Sequence, residues 1–266
     1  MRKSHGQSKH TQQKQRHLQM FLDGTVNGAK SLLANPRNSG AGLVVIDATA
    51  GSGYTDSGEA GSPLILNRHF QKHFPDRFRQ LCCDRDKGNI ESLEKIPLFN
   101  CDVVRGNYQE RVIPWLEALP SDPIFGLLYV DANGITDVLD GKGLFASLRR
   151  KVRFQRIDLA CNLSLNAYNR HKGVIDSLYH GEPPEWLKTD LLVHMDELAG
   201  FKSNNFIRTE LGKLQEWVML YGLHTDKVNL SRRTEGIVPY AEWRANAEFY
   251  LNGGQRVAPG QMRLQL

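Results

Sequence analysis

Four apolar residues closing on an acid and running straight into a glycine-rich turn, "LVVIDATAGSG" (Leu43 to Gly53), constrain this chain more than any other stretch. An apolar run so short and unbroken predicts a central parallel strand buried on both faces, because a strand with one wet face alternates apolar and polar residues instead. Related runs recur downstream: "FRQLCCDRD" (78–86), "IPLFNCDV" (96–103), "IFGLLYVDANG" (124–134) and "RIDLACNLSL" (156–165) read as further strands. Helical patterns lie between them. One starts at Ser62 and Pro63, a good N-cap followed by a good first helical residue, and runs through Leu64, Ile65, Phe70 and Phe74. A second spans Asn89 to Lys95, and a third is "QERVIPWLEAL" (109–119), which Pro114 complicates. Short strands alternating with helices predict right-handed crossovers and an α/β, doubly wound, mostly parallel, Rossmann-like sheet. In such sheets ligands bind beyond the carboxyl ends of the strands, at the switch point. Asp47, Asp84, Asp102 and Asp131 each fall near a predicted carboxyl end and together predict a shared cleft, although any one of them could instead cap the next helix.

Ahead of the first strand, Leu18, Phe21, Leu22, Val26, Ala29 and Leu33 fall at helical intervals, which predicts an amphipathic helix over Thr11 to Leu33, or two helices interrupted at Gly24 and Gly28. The chain's formal charge is +5, and its location matters more than its size. Residues 1–22 hold Arg2, Lys3, Lys9, Lys14 and Arg16 and no acid, leaving 29 basic residues against 29 acidic ones in the remainder. A basic flexible arm over residues 1–16, with Lys9, Lys14 and Arg16 meeting nucleic-acid phosphates, is one expectation; a solvated tail is the other. Residues 17–266 are expected to form a single α/β domain, since 266 residues at 40% hydrophobic can bury a sizeable core. No apolar run approaches the roughly 20 residues that a membrane span needs, so a soluble, cytoplasmic protein is expected. Cys82, Cys83, Cys101 and Cys161 show no CxxC pairing, which predicts buried free thiols and no metal site. Towards the C-terminus, "LQEWVMLYGLHT" (214–225) reads as a strand completing the sheet and "VPYAEWRANAEFYL" (238–251) as a terminal helix.

The glycine turn limits the ligand. A P-loop needs a lysine after its last glycine, and "GSGYTD" has none. A dinucleotide site wants GxGxxG, whereas here Gly51 and Gly53 are followed by Gly58, two positions late. What remains is an acid, small residues and Gly-x-Gly: Asp47-Ala48-Thr49-Ala50-Gly51-Ser52-Gly53. This resembles the first motif of class I S-adenosylmethionine-dependent methyltransferases. The resemblance implies that the backbone at Ala50, Gly51 and Gly53 lies against the cofactor, with Asp47 near its ammonium. It also implies that Asp84 accepts from the ribose hydroxyls and Asp102 from the adenine amino group. A narrower likeness runs over roughly residues 10–171. "HTQQKQRHLQMFL", "VVIDATAGSGYTDSGEAGSPLIL", "LLYVDANG" and "LACNLSLNAYNR" together are similar to the three-Cys-motif partner family, with "GSPL" (Gly61 to Leu64) the most specific element. That family resembles methyltransferases and is named for a separate three-cysteine protein, which implies a protein partner.

One departure stands out. Where that family tends to carry Asp-Pro-aromatic-Gly, this chain has Asp131-Ala132-Asn133-Gly134, which removes the proline and the ring that amino-group methyltransferases set against a target base. Candidate acceptor-side residues are Asp131, as base or orienting group, with Asn133, Asn162 and Arg170, while Tyr168 could stack on a base. A polar helix start capped by Asn162 or Ser164 is the plainer alternative. "SLRRKVRFQR" (147–156) holds five basic residues and is read as a solvated face. The expected function is methyl transfer from S-adenosylmethionine to a nucleic acid or other anionic acceptor. The alternatives are a non-catalytic nucleic-acid-binding or accessory module on the same fold, or another nucleotide-dependent transferase or hydrolase.

Overall fold

In the computed structural model, residues 11–38, 40–131, 142–164, 195–196, 198–202, 204–208, 217–225, 230–231 and 236–247 are described. They fall into two compact units. One takes in the described residues up to Val130 together with Arg150–Asp158, the other Asp131–Arg149 and the described residues from Leu159 onward.

In the first unit β1 (Gly42–Asp47) is flanked by β2 (Phe78–Asp84) and β4 (Ile124–Val130), both parallel to it. Beyond β2 lies β3 (Cys101–Arg105), also parallel. The chain therefore lays down β1, β2 and β3 in one direction and then returns to the other side of β1 for β4, which makes the β1/β4 boundary a switch point. All seven residues of β4 and five of the six in β1 are buried, as a strand covered on both faces requires.

Helix α1 (Thr11–Leu33) packs on α2 (Ser62–His73) and β4; α2 packs on β1 and β2; α3 (Lys87–Leu93) packs on β2 and β3, and α4 (Tyr108–Glu117) on β2. Helix α1 continues through Gly24 and Gly28 without a break. Each glycine costs a helix about 1 kcal/mol relative to alanine. The stripe Leu18, Phe21, Leu22, Val26 and Ala29 is buried on one face, and burying five apolar side chains at about 1.5–3 kcal/mol for each large one outweighs that cost.

Strand β3 starts five residues later than the sequence pattern suggests. Pro97 has no N–H to give to a ladder. The buried side chain of Asn67, on α2, then captures Phe99, accepting its N–H at 3.0 Å and donating to its carbonyl at 2.8 Å. Asn67 also donates to Gln80 at 2.7 Å, so both buried amides are engaged. The run 96–99 closes around Asn67, and pairing with β2 begins only at Asn100, at a positive φ of 52°, whose carbonyl accepts from Gln80 N–H at 2.9 Å. This shift moves Asp102, as described below.

In the second unit β5 (Arg156–Ser164), whose first three residues belong to the first unit, pairs antiparallel with β7 (Trp217–Leu223). Strand β7 also pairs antiparallel with β6 (Asn204–Arg208), and β6 antiparallel with β8 (Ile237–Pro239). Only β7 and β8 thus run against β5 and β6. The expected strand near 214–225 is β7. The C-terminal helical pattern yields α6 (Tyr240–Ala245) within what is described, and α5 (Lys142–Arg150) precedes β5. In hydrogen-bonding order the strands read β3-β2-β1-β4-β5-β7-β6-β8. This is a mostly parallel, Rossmann-like α/β sheet of the doubly wound kind.

The basic run 147–156 is largely exposed, with Arg149, Arg150, Lys151 and Arg156 facing solvent as expected and Arg153 half-buried, yet several of its cations also hold fixed partners. Arg153 donates to the carbonyls of Leu119 and Ser121, and to that of Glu117 at 3.3 Å, while Lys151 pairs with the Glu117 carboxylate. These cations sit at the C-terminal end of α4, where a helix leaves carbonyls unpaired and its dipole favours positive charge. Arg149 donates to the Gly200 carbonyl at 2.7 Å, and Arg156 lies 5.0 Å over the Phe125 ring.

All four cysteines are free. Cys82, Cys83 and Cys161 are buried and Cys101 is partly exposed. Burial, reinforced by the charge of Asp47, pushes the Cys83 thiol up to about 12. Burial alone raises Cys161, and the contact with Cys101, followed by burial, raises Cys82. Titration with a thiol-reactive chromogen near pH 8 is expected to find one fast thiol, Cys101, and three more only on unfolding; a second fast thiol would contradict this burial pattern. Among the described residues no helix is long and apolar enough to cross a membrane.

Candidate cofactor turn and acceptor side

The turn after β1 is laced to the strands on both sides of it. Ala48 N–H donates to the Tyr129 carbonyl of β4 at 2.9 Å, and Ala50 N–H to the Cys83 carbonyl of β2 at 2.9 Å. Gly51 N–H then donates to Oδ2 of Asp84 at 2.8 Å, and the other carboxylate oxygen, Oδ1, accepts from Asp86 N–H at 2.8 Å. Each oxygen of Asp84 has spent one acceptor direction and keeps another. Asp84 is partly exposed, so those directions are open to a ligand.

Gly51 and Gly53 both adopt positive φ, 62° and 89°, the conformation that glycine takes at no steric cost. A Cβ at Gly51 would project into open space, whereas one at Gly53 would lie 2.4 Å from Ile96 Cδ1. The first glycine thus leaves bare backbone towards the outside, and the second lets the turn press on the layer beneath. Ala50 packs into that layer with Cys82, Ile90 and Leu93.

From Tyr54 to Ala60 the chain forms a small hairpin closed by a single bridge between those two residues, with Gly58 N–H donating to the Thr55 carbonyl. Gly61 then donates its N–H to the Gly53 carbonyl at 2.8 Å and occupies the cap position of α2. Ser62 is therefore the first helical residue, not the cap. A Cβ at position 61 would come within 2.9 Å of the Gly53 oxygen, which explains why glycine takes this place.

Asp47 has none of its surface exposed, and its Oδ1 accepts from Thr49 N–H at 3.3 Å. It is placed as an internal anchor of the turn, away from direct reach of a ligand's ammonium.

Asp102 needs a correction. Because β3 begins at Cys101, Asp102 stands opposite Leu81 near the amino end of the strand, three register positions before Asp84 pairs with Arg105. Its carboxylate is engaged by Arg79 and by the indole N–H of Trp115, both at 2.7 Å. It lines a groove of about 690 Å³ with Arg79, Ile96, Leu98 and Trp115, which contains none of Asp47, Gly51, Gly53 and Asp84. A residue there cannot reach an adenine held at the carboxyl edge.

The polar residue at the edge of β3 is Asn107, which the sequence reading missed. It follows Gly106, whose N–H donates to the Asp84 carbonyl at 2.9 Å, and its side chain caps α4 by accepting from Gln109 N–H. The available signal was "RGN" (105–107), a strand end followed by glycine and a capping residue.

On the acceptor side Asp131 follows β4 directly, and Asn162 of β5 donates its amide N–H to Asp131 Oδ1 at 2.5 Å. These two expected residues do meet. Asn133, Tyr168, Arg170 and Lys9 lie outside the described residues; Lys14 and Arg16 lie within α1, with their side chains outside what is described.

No family model and no curated protein sequence matches the chain. Among solved structures it is similar to protein LPL1258 from Legionella pneumophila at 13% identity, with 87% of this chain and 92% of that chain covered and a TM-score of 0.48. It is also similar to Aeropyrum pernix fibrillarin in complex with natively bound S-adenosyl-L-methionine: 10% identity, 69% of this chain, 66% of that one, TM-score 0.39. An rRNA methylase from Streptococcus thermophilus gives 12% identity over 69% of this chain and 87% of that one, at a TM-score of 0.34. These are distant likenesses, and the strand order and switch point of this chain are those of a Rossmann-like α/β fold.

Proposed function

We propose that this chain binds S-adenosylmethionine at the turn after β1 and transfers its methyl group to a nucleic acid or another anionic acceptor. The observation that carries the reading is the pairing of a bare Gly51 backbone, open where a Cβ would project, with a partly exposed Asp84 carboxylate that holds that backbone and retains acceptor capacity. A carboxylate at the second strand's end suits a ribose diol, which presents two hydroxyl donors. Asn107, at the end of the next strand, carries an amide that can both give and accept, as an adenine edge demands. Asp47 would act from beneath, keeping the turn in shape.

When bound, the cofactor supplies an electrophilic methyl group on a sulfonium. The protein's part is to hold and orient. Asp131 would accept a hydrogen bond from the acceptor and take its proton where one must leave. Positioning accounts for much of the acceleration available to such a transfer. In the same reading Asn133, Arg170 and Tyr168 belong to the acceptor side by sequence, and Lys9, Lys14 and Arg16 would meet phosphates. The likeness to the three-Cys-motif partner family adds a separate three-cysteine protein as a proposed partner.

Calorimetric titration with S-adenosylmethionine and S-adenosylhomocysteine tests the first step: heat with a single site is expected, and no heat with either ligand sinks the reading. Transfer of a radiolabelled methyl group to pooled DNA, RNA and protein then separates an enzyme from an accessory module.

A further inference from the structure

Strand β3 ends the sheet, with β2 on one side and no strand on the other among the described residues. In a parallel ladder every second residue turns both of its backbone groups to the same neighbour. Gln80 N–H donates to the Asn100 carbonyl and Gly106 N–H to the Asp84 carbonyl, both at 2.9 Å, which fixes the phase. Asp102 and Val104 face β2, while Cys101, Val103 and Arg105 turn their N–H and C=O groups outward. No residue of β3 is buried, in contrast to β1 and β4. Cys101 and Val103 pack against Ile96 and Leu98 on one face of the sheet, and Asp102, pointing to the other face, bonds Trp115. The groove of about 690 Å³ thus runs along this open edge between two walls. An edge of this kind, with two valines at its middle, is a template for another strand.

We infer that this strand is β3 of a second copy of the chain, running antiparallel about a two-fold axis at Val103. Centred there, Val103 meets the partner's Val103 and Cys101 meets the partner's Arg105. Every outward residue then finds an outward residue, and each such pair exchanges two hydrogen bonds. Asp102 falls opposite the partner's Val104, so no like charges are opposed. The walls come from the C-terminal ends of α3 and α4 and the residues after them, beside the amino end of β3, and the groove lining stops short of Arg105. An antiparallel partner brings its carboxyl end to that place, so the walls of the two copies stand at opposite ends of the pair. Charge agrees with this register. Glu94 lines the groove, is exposed, and has no ion pair among the described residues. Arg105 is exposed, donating to the Arg85 carbonyl at 3.4 Å. Opposite Cys101, the partner's Arg105 lies on the face that carries Glu94, and the two-fold axis makes this pair twice.

Sedimentation velocity of the full chain from about 1 to 100 µM tests the pairing, and the mass should rise from monomer to dimer across the series. Val103→Pro removes an N–H that β2 does not use, and removes it in both copies, so self-association should weaken about tenfold or more. Arg105→Glu and Glu94→Arg should each weaken it as well, and the double exchange should restore it to within about threefold of the unaltered chain. A monomer at every concentration overturns the inference and leaves the groove to a strand from another protein. A dimer indifferent to Val103→Pro, or single exchanges that the double does not restore, overturns it too. The charge exchange decides the matter even if Val103→Pro does not fold.

Discussion

Replacing Asp84 by alanine is expected to weaken S-adenosylhomocysteine binding by about 100-fold, or about 2.7 kcal/mol. Two losses combine. The ribose hydroxyls would lose their acceptor, and the Gly51 and Asp86 N–H groups, now bonded to the two carboxylate oxygens, would lose theirs, so the turn itself would loosen. Hydrogen bonds to a charged group are worth about 1.5–3 kcal/mol each, which makes the turn's share comparable to the ligand's. Asp84→Asn keeps one acceptor oxygen and should fall between the two. Asp102→Asn is the contrast: its partners are Arg79 and Trp115, in a separate groove, and affinity should stay within about twofold. Calorimetry on the three variants is decisive. An Asp84→Ala chain that binds like the unaltered one would remove the carboxylate from the site, and a large loss in Asp102→Asn would reverse the correction made on register grounds.

Gly126→Ala should be the most destabilising single methyl that can be added to the first unit. Gly126 stands in the middle of β4 at a φ of 153°, paired with Val44. A Cβ there would lie 1.9 Å from the Val44 carbonyl oxygen and 2.7 Å from its carbon. Those atoms belong to a central strand held on both sides, so they cannot step aside as the end of a flexible side chain could. Overpacking in a core typically costs about 1–3 kcal/mol, and backbone strain of this kind adds a similar amount, so a loss of about 4 kcal/mol is expected. The midpoint of urea unfolding should fall with little change in slope. Gly51→Ala, which meets open space and carries only the strain of its φ, should cost about 1 kcal/mol. Equal stabilities for the two variants would contradict this ranking.

Strands β1 and β4 were legible because their physics is local: an unbroken apolar run can satisfy its side chains only between two covering layers, and these two, like the more mixed β2 and β5, fall within a few residues of where the pattern places them. Strand β3 was misplaced for a reason that no local pattern carries. Asn67, 32 residues away in sequence, takes the backbone groups of Phe99 and thereby delays the ladder. That one delay turned Asp102 from a carboxyl-edge acid into a partner of Trp115 and left Asn107 unread. Asp84 and the glycines were legible because their role follows from chain conformation and strand ends. The depth at which Asp47 sits was not, since burial of a carboxylate depends on neighbours from two other strands. Ser62 and Gly61 exchanged roles for a similar reason: a serine is the better cap in isolation, but the Gly53 carbonyl leaves no room for a side chain at the cap itself.

The stitching of the turn to β2, β4 and α2 has a thermodynamic consequence. A loop that closes on its ligand meets the entropy of its own ordering at the moment of binding. Here that ordering is completed when the sheet forms, because Ala48, Ala50, Gly51 and Gly61 already spend their N–H groups on fixed partners. Affinity and foldedness at this place draw on the same bonds. A ligand seated on the turn therefore grips the first unit's sheet as a whole, and its binding energy is felt in the melting of β1, β2 and β4 together.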